Sequence, residues 1–423
     1  MGVGPVLTAL RVGDFRLLWA ARTISVFGTW LLVVAVPAHV YQLTGSYMAA
    51  GLALAAEFLP PVLLGPVAGV VVDRWDRRRV MMAADVLRAA AIALLLLARD
   101  PGDLWLVYVA LVVESTGTVV FRPAAQAHTP VVVGTGTALS GANALNSVTD
   151  GVARLAGAPL GVALLSLVGF EALVLIDMAS YLVSVGLIAS MSKRATTTTA
   201  RGVGKELAEG LAFLKRERTA SSLLVVSSVF LAANASLSAL LVPFGMTTLG
   251  GIGPVGLVMS GLGVGFLLGA PLTRLLVDRL RTGPLLAAAL VATAVGFVLL
   301  FSSRSTTSAL PAAVLIGLAG SAVLVVTQTA VQRVTPTDVL GRISAVMFTG
   351  EAAATFVGAL AGPALAESTS PRTAAYTACA ITLLSAAYAA RSTPSVHQSF
   401  ARRSAVPASY KGNGRDDQRG TRG

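Results

Sequence analysis

Twelve apolar runs follow one another along the chain, each close to the roughly 20 residues that a helix needs to cross a bilayer. They lie near 17–40, 47–72, 80–98, 104–126, 138–168, 171–192, 220–247, 254–277, 283–302, 309–331, 341–366 and 372–390. The longer ones must tilt. Only 12% of the 423 residues are charged and 55% are hydrophobic, against about 25% charged in a soluble domain. Such a chain cannot cover a water-facing surface, so the expected class is an all-α, polytopic membrane protein in a lipid bilayer. The net charge of +12 does not point to nucleic acid, because the basic residues sit in the short segments between runs and in the tail. The single cysteine, Cys379, lies inside an apolar run, so no disulfide framework is expected.

The distribution of Lys and Arg orients the chain. One set of loops carries only Arg99, Arg304 and Arg372; the other carries Arg74–Arg79, the segment from Lys193 to Arg218, Arg279, Arg281, Arg333 and the tail. This places both termini in the cytoplasm, which requires an even number of spans. The reading divides the chain into an amino-terminal bundle (1–192), a cytoplasmic linker (193–219), a carboxyl-terminal bundle (220–391) and a basic, disordered tail (392–423). Within the linker, Val203, Leu207, Leu211 and Leu214 recur at helical spacing, as in an amphipathic helix on a membrane surface or a tether between bundles.

An internal repeat is visible in the glycines. Every third span carries a Gly-xxx-Gly pair beside a proline: Gly65, Pro66 and Gly69; Gly157, Pro159 and Gly161; Gly261, Gly265, Gly269 and Pro271; Gly358, Gly362 and Pro363. Such pairs let backbones approach closely, and the prolines allow bending. The feature lies near the cytoplasmic end of spans 2 and 8 and near the outer end of spans 5 and 11. Three-helix units repeated in alternating orientation are the build of secondary transporters. Gly157, Pro159, Gly161, Gly265, Gly269, Gly358 and Gly362 are therefore expected to pack one bundle on the other.

Ionisable side chains in hydrocarbon cost at least ~2.5 kcal/mol each on insertion scales, so each is a functional candidate. Arg22, Glu57, Glu114, Asp150, Arg154, Asp177 and Glu351 stand out inside spans. Asn143, Asn146, Asp150, Arg154, Gly157 and Gly161 form one stripe on span 5, and Asp150 and Arg154, four apart, read either as a structural ion pair with each other or as a substrate or proton site. Glu114 has no neighbour of opposite charge on its own span, so Arg154 of the next span is its expected partner; left unpaired, it would suit a proton carrier. Asp177 reads as a structural hydrogen-bonding group. Glu57 and Glu351 either line the cavity or pair across it, and Arg22, near the inner end of span 1, is expected to snorkel.

The stretch G-P-V-A-G-V-V-V-D-R-W-D-R-R-R at 65–79 resembles the cytoplasmic loop between helices 2 and 3 of the major facilitator superfamily, G-x-x-x-D-R-x-x-R-R. The resemblance extends over about residues 11–391. It is nearest the drug and siderophore exporter branch, through F-R-L-L-W-A-A-R-T-I-S-V-F-G at 15–28, F-R-P-A at 121–124, G-A-P-L-G at 157–161, E-L-A-E-G-L-A-F-L at 206–214 and G-R-I-S at 341–344. It implies two pseudo-symmetric six-helix bundles and a conformational latch. In that latch Gly65, Gly69, Asp73, Arg74, Arg77 and Arg78 meet the start of helix 11 at Gly341 and Arg342, and a carboxylate at a helix amino terminus is favoured by the backbone dipole. It further implies a cavity lined by helices 1, 4, 7 and 10, with Glu114, Asn234 and Gln328 as candidate lining groups. The chain departs from the branch at Ala158 and Val162 in the exporter run, at Thr29 where an acid often follows the helix 1 glycine, and at Arg274 where a second loop motif would have glycine. The function implied is proton-coupled efflux of a small amphipathic compound by a monomer in the cell membrane, with an importer of a small solute as the alternative. An enzyme is not expected, nor a cofactor or metal: His39, His128 and His397 are not spaced for a metal, and there is no H-E-x-x-H, no G-x-S-G serine and no Walker lysine.

Overall fold

The computed structural model describes residues 4–192, 211–214, 216–335 and 340–392, apart from the side chains at 66, 69–71, 73 and 340–342. After a short helix at Pro5–Leu10, the spanning helices are α1 (Gly13–Thr44), α2 (Tyr47–Arg74), α3 (Arg77–Ala93, extended by a 3-10 turn at Leu94–Leu97) and α4 (Leu104–Val133). A continuous helical stretch, Thr137–Ala189, comes next. It divides at Gly169, whose φ of 82° and ψ of 174° only glycine adopts readily. The two parts are α5 (137–168) and α6 (170–189). The carboxyl half comprises α7 (Arg218–Thr248), α8 (Ile252–Val277), α9 (Thr282–Ser302), α10 (Thr306–Val334), α11 (Leu340–Ser368) and α12 (Pro371–Ser392).

Eleven described helices are long and apolar enough to cross a bilayer, and the break at Gly169 makes them the twelve passes read from sequence. Segments 193–210 and 393–423, which hold most of the expected linker helix and the tail, lie outside the described residues. Of the linker, 211–214 is helical, and Leu214 is buried against the carboxyl half. The Pro5–Leu10 helix is too short to register as an apolar run. It docks against α5 at Gly141, where an added Cβ would stand 2.1 Å from the Pro5 carbonyl oxygen.

Helix starts are fixed locally. The Ser46 hydroxyl accepts from the Ala49 N–H at 3.1 Å, and the Asp76 carboxylate accepts from the Arg79 N–H at 2.9 Å. Each satisfies an orphan donor of a first turn. Each half then buries its own two apolar clusters, one toward each membrane face. In the amino half these centre on Leu173 and Tyr181 and on Phe15 and Met81; in the carboxyl half, on Leu240 and Phe301 and on Leu223 and Ile343.

The halves meet through α2 on α11 and through α5 on α8. Two smaller clusters cross the seam: Val34, Ala38, Ala158 and Val162 with Val242 and Val255, and Ala55 with Ala235 and Ala359. Helices 2, 5, 8 and 11 thus form the seam, but six of the seven expected residues do not build it. Gly157 and Gly161 seat α5 on Trp30 and Leu31 of α1. Gly265 and Gly269 seat α8 on Val314, Leu318 and Ser321 of α10, and Gly358 and Gly362 seat α11 on Ala232 and Ser236 of α7. All six lie inside a half, where a permanent contact rewards backbone-to-backbone approach. Pro159, half-buried between Gly157 and Gly161, rides on the same α5 segment. Glycines that do face the other half are Gly51, against Ala359 and Pro363, Gly65, near Phe348, Gly256, against Val162, and Gly263, against Leu155.

Candidate functional site

Twelve antiparallel passes put the first and last spanning helices' outer ends on one face, here called the terminal face. The described close approaches between the halves run from the opposite face to mid-depth. At that far face the Glu367 carboxylate, near the end of α11, accepts from the Ser46 hydroxyl (3.1 and 3.2 Å) and from the Met48 N–H at the start of α2 (2.9 Å). An acid on one half thus caps a helix amino terminus of the other. Toward the terminal face Arg122, Gln126 and Asn143 of the amino half and Gln328 of the carboxyl half are exposed although each stands on a spanning helix. Polar groups so placed suit a water-filled opening between the halves rather than lipid; that inferred opening, toward the terminal face, is called the cleft below.

The charges of the amino half fall into two groups. One is enclosed and centred on Arg88 of α3, which is 3% exposed. Its Nε donates to Glu114 Oε1 (3.1 Å), Nη1 to Asp85 Oδ1 (2.9 Å) and Ser25 Oγ (3.1 Å), and Nη2 to Thr29 Oγ1 (3.3 Å) and the Tyr181 hydroxyl (3.1 Å). All five guanidinium donors are engaged. Tyr181 and Thr118 each donate to Glu114 Oε1 (2.9 Å), and Ser184 donates to Asp85 Oδ2 (2.6 Å). The guanidinium carbon lies 4.1 Å from the Tyr181 ring centroid, and Gly117 leaves the room its methylenes occupy. Asp177 sits beside this group, accepting from Ser180 Oγ at 3.2 Å and pressed against Gly28.

The second group lines the cleft. Arg22 donates to Asp150 at 2.6 Å, and Trp19 Nε1 donates to Thr149 at 3.0 Å. Arg154 stands over the rings of Trp30, at 5.7 Å, and Phe266, at 5.9 Å. Arg22, Gln126, Asn143 and Asn146 share a small cavity of about 30 Å³.

Two expected pairings and one expected orientation are therefore replaced. Asp150 is held by Arg22 of α1 and not by Arg154; Glu114 is held by Arg88 of α3 and not by Arg154; Arg22 reaches a partner inside the fold instead of snorkelling. For both acids the i, i+4 or next-helix neighbour loses to a cation brought opposite by packing. Asp85 and Arg88, which tie the enclosed group together, are missed in the sequence reading. Their i, i+3 spacing inside an apolar run is the signal available. Arg122 is likewise visible only as part of F-R-P-A.

Of the latch residues, Gly65 stands with an added Cβ 3.9 Å from Phe348 of α11, and Arg74 is exposed at the end of α2. Arg77 Nη1 donates to the Ala127 carbonyl at 2.9 Å; Arg78 donates to Ile188 at 2.9 Å and to Ala189. These described contacts of Arg77 and Arg78 fasten α3 to α4 and to the carboxyl end of α6 within the amino half, as cations suit a helix end. The side chains of Gly69, Asp73 and Arg342 lie outside the described residues. Asn234 is half-buried and accepts from Ser238 at 3.4 Å. Glu351 faces Ser227 within the carboxyl half. Glu57, half-buried on α2, forms no ion pair among the described residues; its backbone carbonyl accepts from Ser115 Oγ at 2.6 Å.

Two six-helix halves that meet through α2 on α11 and α5 on α8 have the build of a membrane transporter. The profile of the transmembrane secretion effector family matches residues 5–409, and the chain belongs to that family within the major facilitator superfamily. It is 28% identical over 224 residues to macrolide efflux protein A of Streptococcus pyogenes, covering 51% of this chain and 55% of the relative. To the MFS-type transporter YfiS of Bacillus subtilis it is 28% identical over 206 residues, or 47% of this chain and 48% of the relative. The chain thus spans about half the length of the curated relatives it matches. In fold it is similar to the nucleoside transporter NupG (TM-score 0.74, 11% identity, 89% of this chain and 98% of that one). It is also similar to a bacterial homologue of the human lysosomal transporter Spinster in an inward-facing, unoccupied conformation (TM-score 0.71, 16% identity, 90% and 96%).

Proposed function

We propose that the chain exports a small amphipathic compound across the plasma membrane in exchange for protons, its two halves rocking about the seam. The observation that carries this reading is the cleft, closed at the far face by Glu367 and lined toward the terminal face by polar side chains. The efflux relatives support the direction. With both termini in the cytoplasm, as the basic loops argue, the cleft opens inward. Glu57 is the acid assigned to the proton: it lies on a seam helix and is free of an ion pair among the described residues, whereas Glu114 is held by Arg88. The test is flux in everted vesicles, scored across a panel of amphipathic dyes and antibiotics. Uptake abolished by a protonophore is expected, and uptake indifferent to it would remove proton coupling. Glu57→Gln is expected to stop proton-driven accumulation while leaving substrate exchange intact; loss of both, or of neither, would remove the assignment.

The two faces carry mirrored clasps in this reading. Asp73, at the end of α2, would cap α11 at the cytoplasmic face when the transporter opens outward, and Glu367, at the end of α11, caps α2 at the outer face. Asp73→Asn is expected to abolish transport in a protein that still inserts. Glu367→Gln is expected to loosen the outer closure, so that a cysteine replacing the buried Ala359 reacts several-fold faster with an impermeant maleimide. Unchanged labelling would show that Glu367 does not hold the face shut.

A further inference from the structure

We propose that the cleft binds the anionic head group of its ligand between the guanidinium groups of Arg122 and Arg154, with the ligand's apolar body against Trp30 and Phe266. The inference rests on the transport reading above and specifies the chemistry of its ligand.

Charges along the amino-half wall are unevenly paired. Arg22 is neutralised by Asp150 at 2.6 Å. Asp85 and Glu114 are committed to Arg88, within 3.1 Å. Arg154 forms no salt bridge with a described carboxylate. The rings of Trp30 and Phe266 lie 5.7 and 5.9 Å from its guanidinium carbon, but rings supply no conventional acceptor for its N–H donors. The residue is exposed, and no described group accepts from those donors. Arg122 is also exposed and forms no salt bridge with a described carboxylate, and Asp150 is already held by Arg22. Two arginines therefore stand uncompensated at membrane depth, where a lone cation is costly and marks a ligand path.

The site suits a carboxylate, sulfonate or phosphate, which a planar guanidinium grips with paired hydrogen bonds. The two rings favour an amphipathic molecule over a small inorganic anion. Phe266 belongs to α8 of the carboxyl half and Trp30 to α1 of the amino half. A ligand here touches both sides of the seam and senses their relative movement.

The experiment uses the full-length chain in detergent and three probes with one ring system: 1-naphthaleneacetate, 1-naphthylmethylamine and 1-naphthalenemethanol. Equilibrium dialysis is expected to show the acetate binding about tenfold or more tighter than the amine, the scale of one charged hydrogen-bonding group. Arg154→Gln and Arg122→Gln should each remove most of that preference, Arg154→Lys should keep part of it, and Arg304→Gln, in a far-face loop, should leave it unchanged. Size-exclusion profiles identify any variant that misfolds, and the probe comparison on the unaltered chain stands without the variants. An amine that binds as tightly as the acetate, absence of binding by both, or a preference that survives both glutamine substitutions would overturn the inference. A chain with the anion preference but no vesicle flux would overturn the transport reading and leave the anion site standing.

Discussion

Arg88→Met is expected to cost about 3–5 kcal/mol of stability, the scale of removing one partner from a buried ion pair, and to leave little monodisperse protein after solubilisation. The wild-type side chain is 3% exposed, and its neighbours Asp85 and Glu114 are 0% and 7% exposed. Removing the guanidinium strands two carboxylates and withdraws donors from Ser25, Thr29 and Tyr181 in one step. Against the roughly 5–15 kcal/mol that holds a typical folded domain, that loss is large. Arg88→Lys should recover only part of it, because an ammonium has three donors where five are used. Neutralising the stranded acids is the sharper control: Arg88→Met combined with Asp85→Asn and Glu114→Gln should be more stable than Arg88→Met alone. The measurement is thermal unfolding followed by fluorescence-detected size exclusion. A single variant that melts with the wild type, or a triple variant no better than the single, would show that the network does not bind α1, α3, α4 and α6 together.

The same network marks how much the sequence discloses. Twelve passes, the break near residue 169, the family motif and the identity of the seam helices are all legible, because they depend on local hydropathy and on periods of three helices. The ion pairs are not. Asp150 finds Arg22 across 128 residues and Glu114 finds Arg88 across 26, and only packing decides which cation of several stands opposite an acid. The glycines mislead for a related reason. A Gly-xxx-Gly pair says that some backbone comes close, but Gly157 and Gly358 do not say whether it belongs to the same half. The exposed Arg122 and Arg154 carry a further lesson: their number in the sequence is plain, while their lack of carboxylate partners emerges only after every acid nearby has been assigned.

The largest steric effect is expected where two glycines interlock at the α8–α10 crossing. An added Cβ at Gly265 would lie 2.1 Å from the Val314 carbonyl oxygen, and one at Gly317 would lie 2.0 Å from that of Leu262. Neither oxygen can retreat without moving a helix, so Gly265→Val or Gly317→Val should force the pair apart and forfeit the dispersion contacts along its whole length. Overpacking of this kind costs about 1–3 kcal/mol or more, and for two helices in permanent contact the upper end applies: little folded protein should survive extraction. Gly263→Ala on the same helix offers the comparison. Its Cβ would first meet Leu155 Cδ1 at 2.2 Å, the tip of a side chain that can change rotamer, and it faces the other half. That variant should fold, with its cost showing in transport rate. The contrast is physical: contacts inside a half set backbone against backbone, whereas α5 and α8 meet through side chains that can yield as the halves move. Gly51, against the Ala359 carbonyl oxygen at 2.7 Å, is tight because it lies at the closed far face, where the halves are held together. Equal folding losses at Gly265, Gly317 and Gly263 would erase the distinction between rigid halves and a compliant seam, and with it the structural basis for rocking.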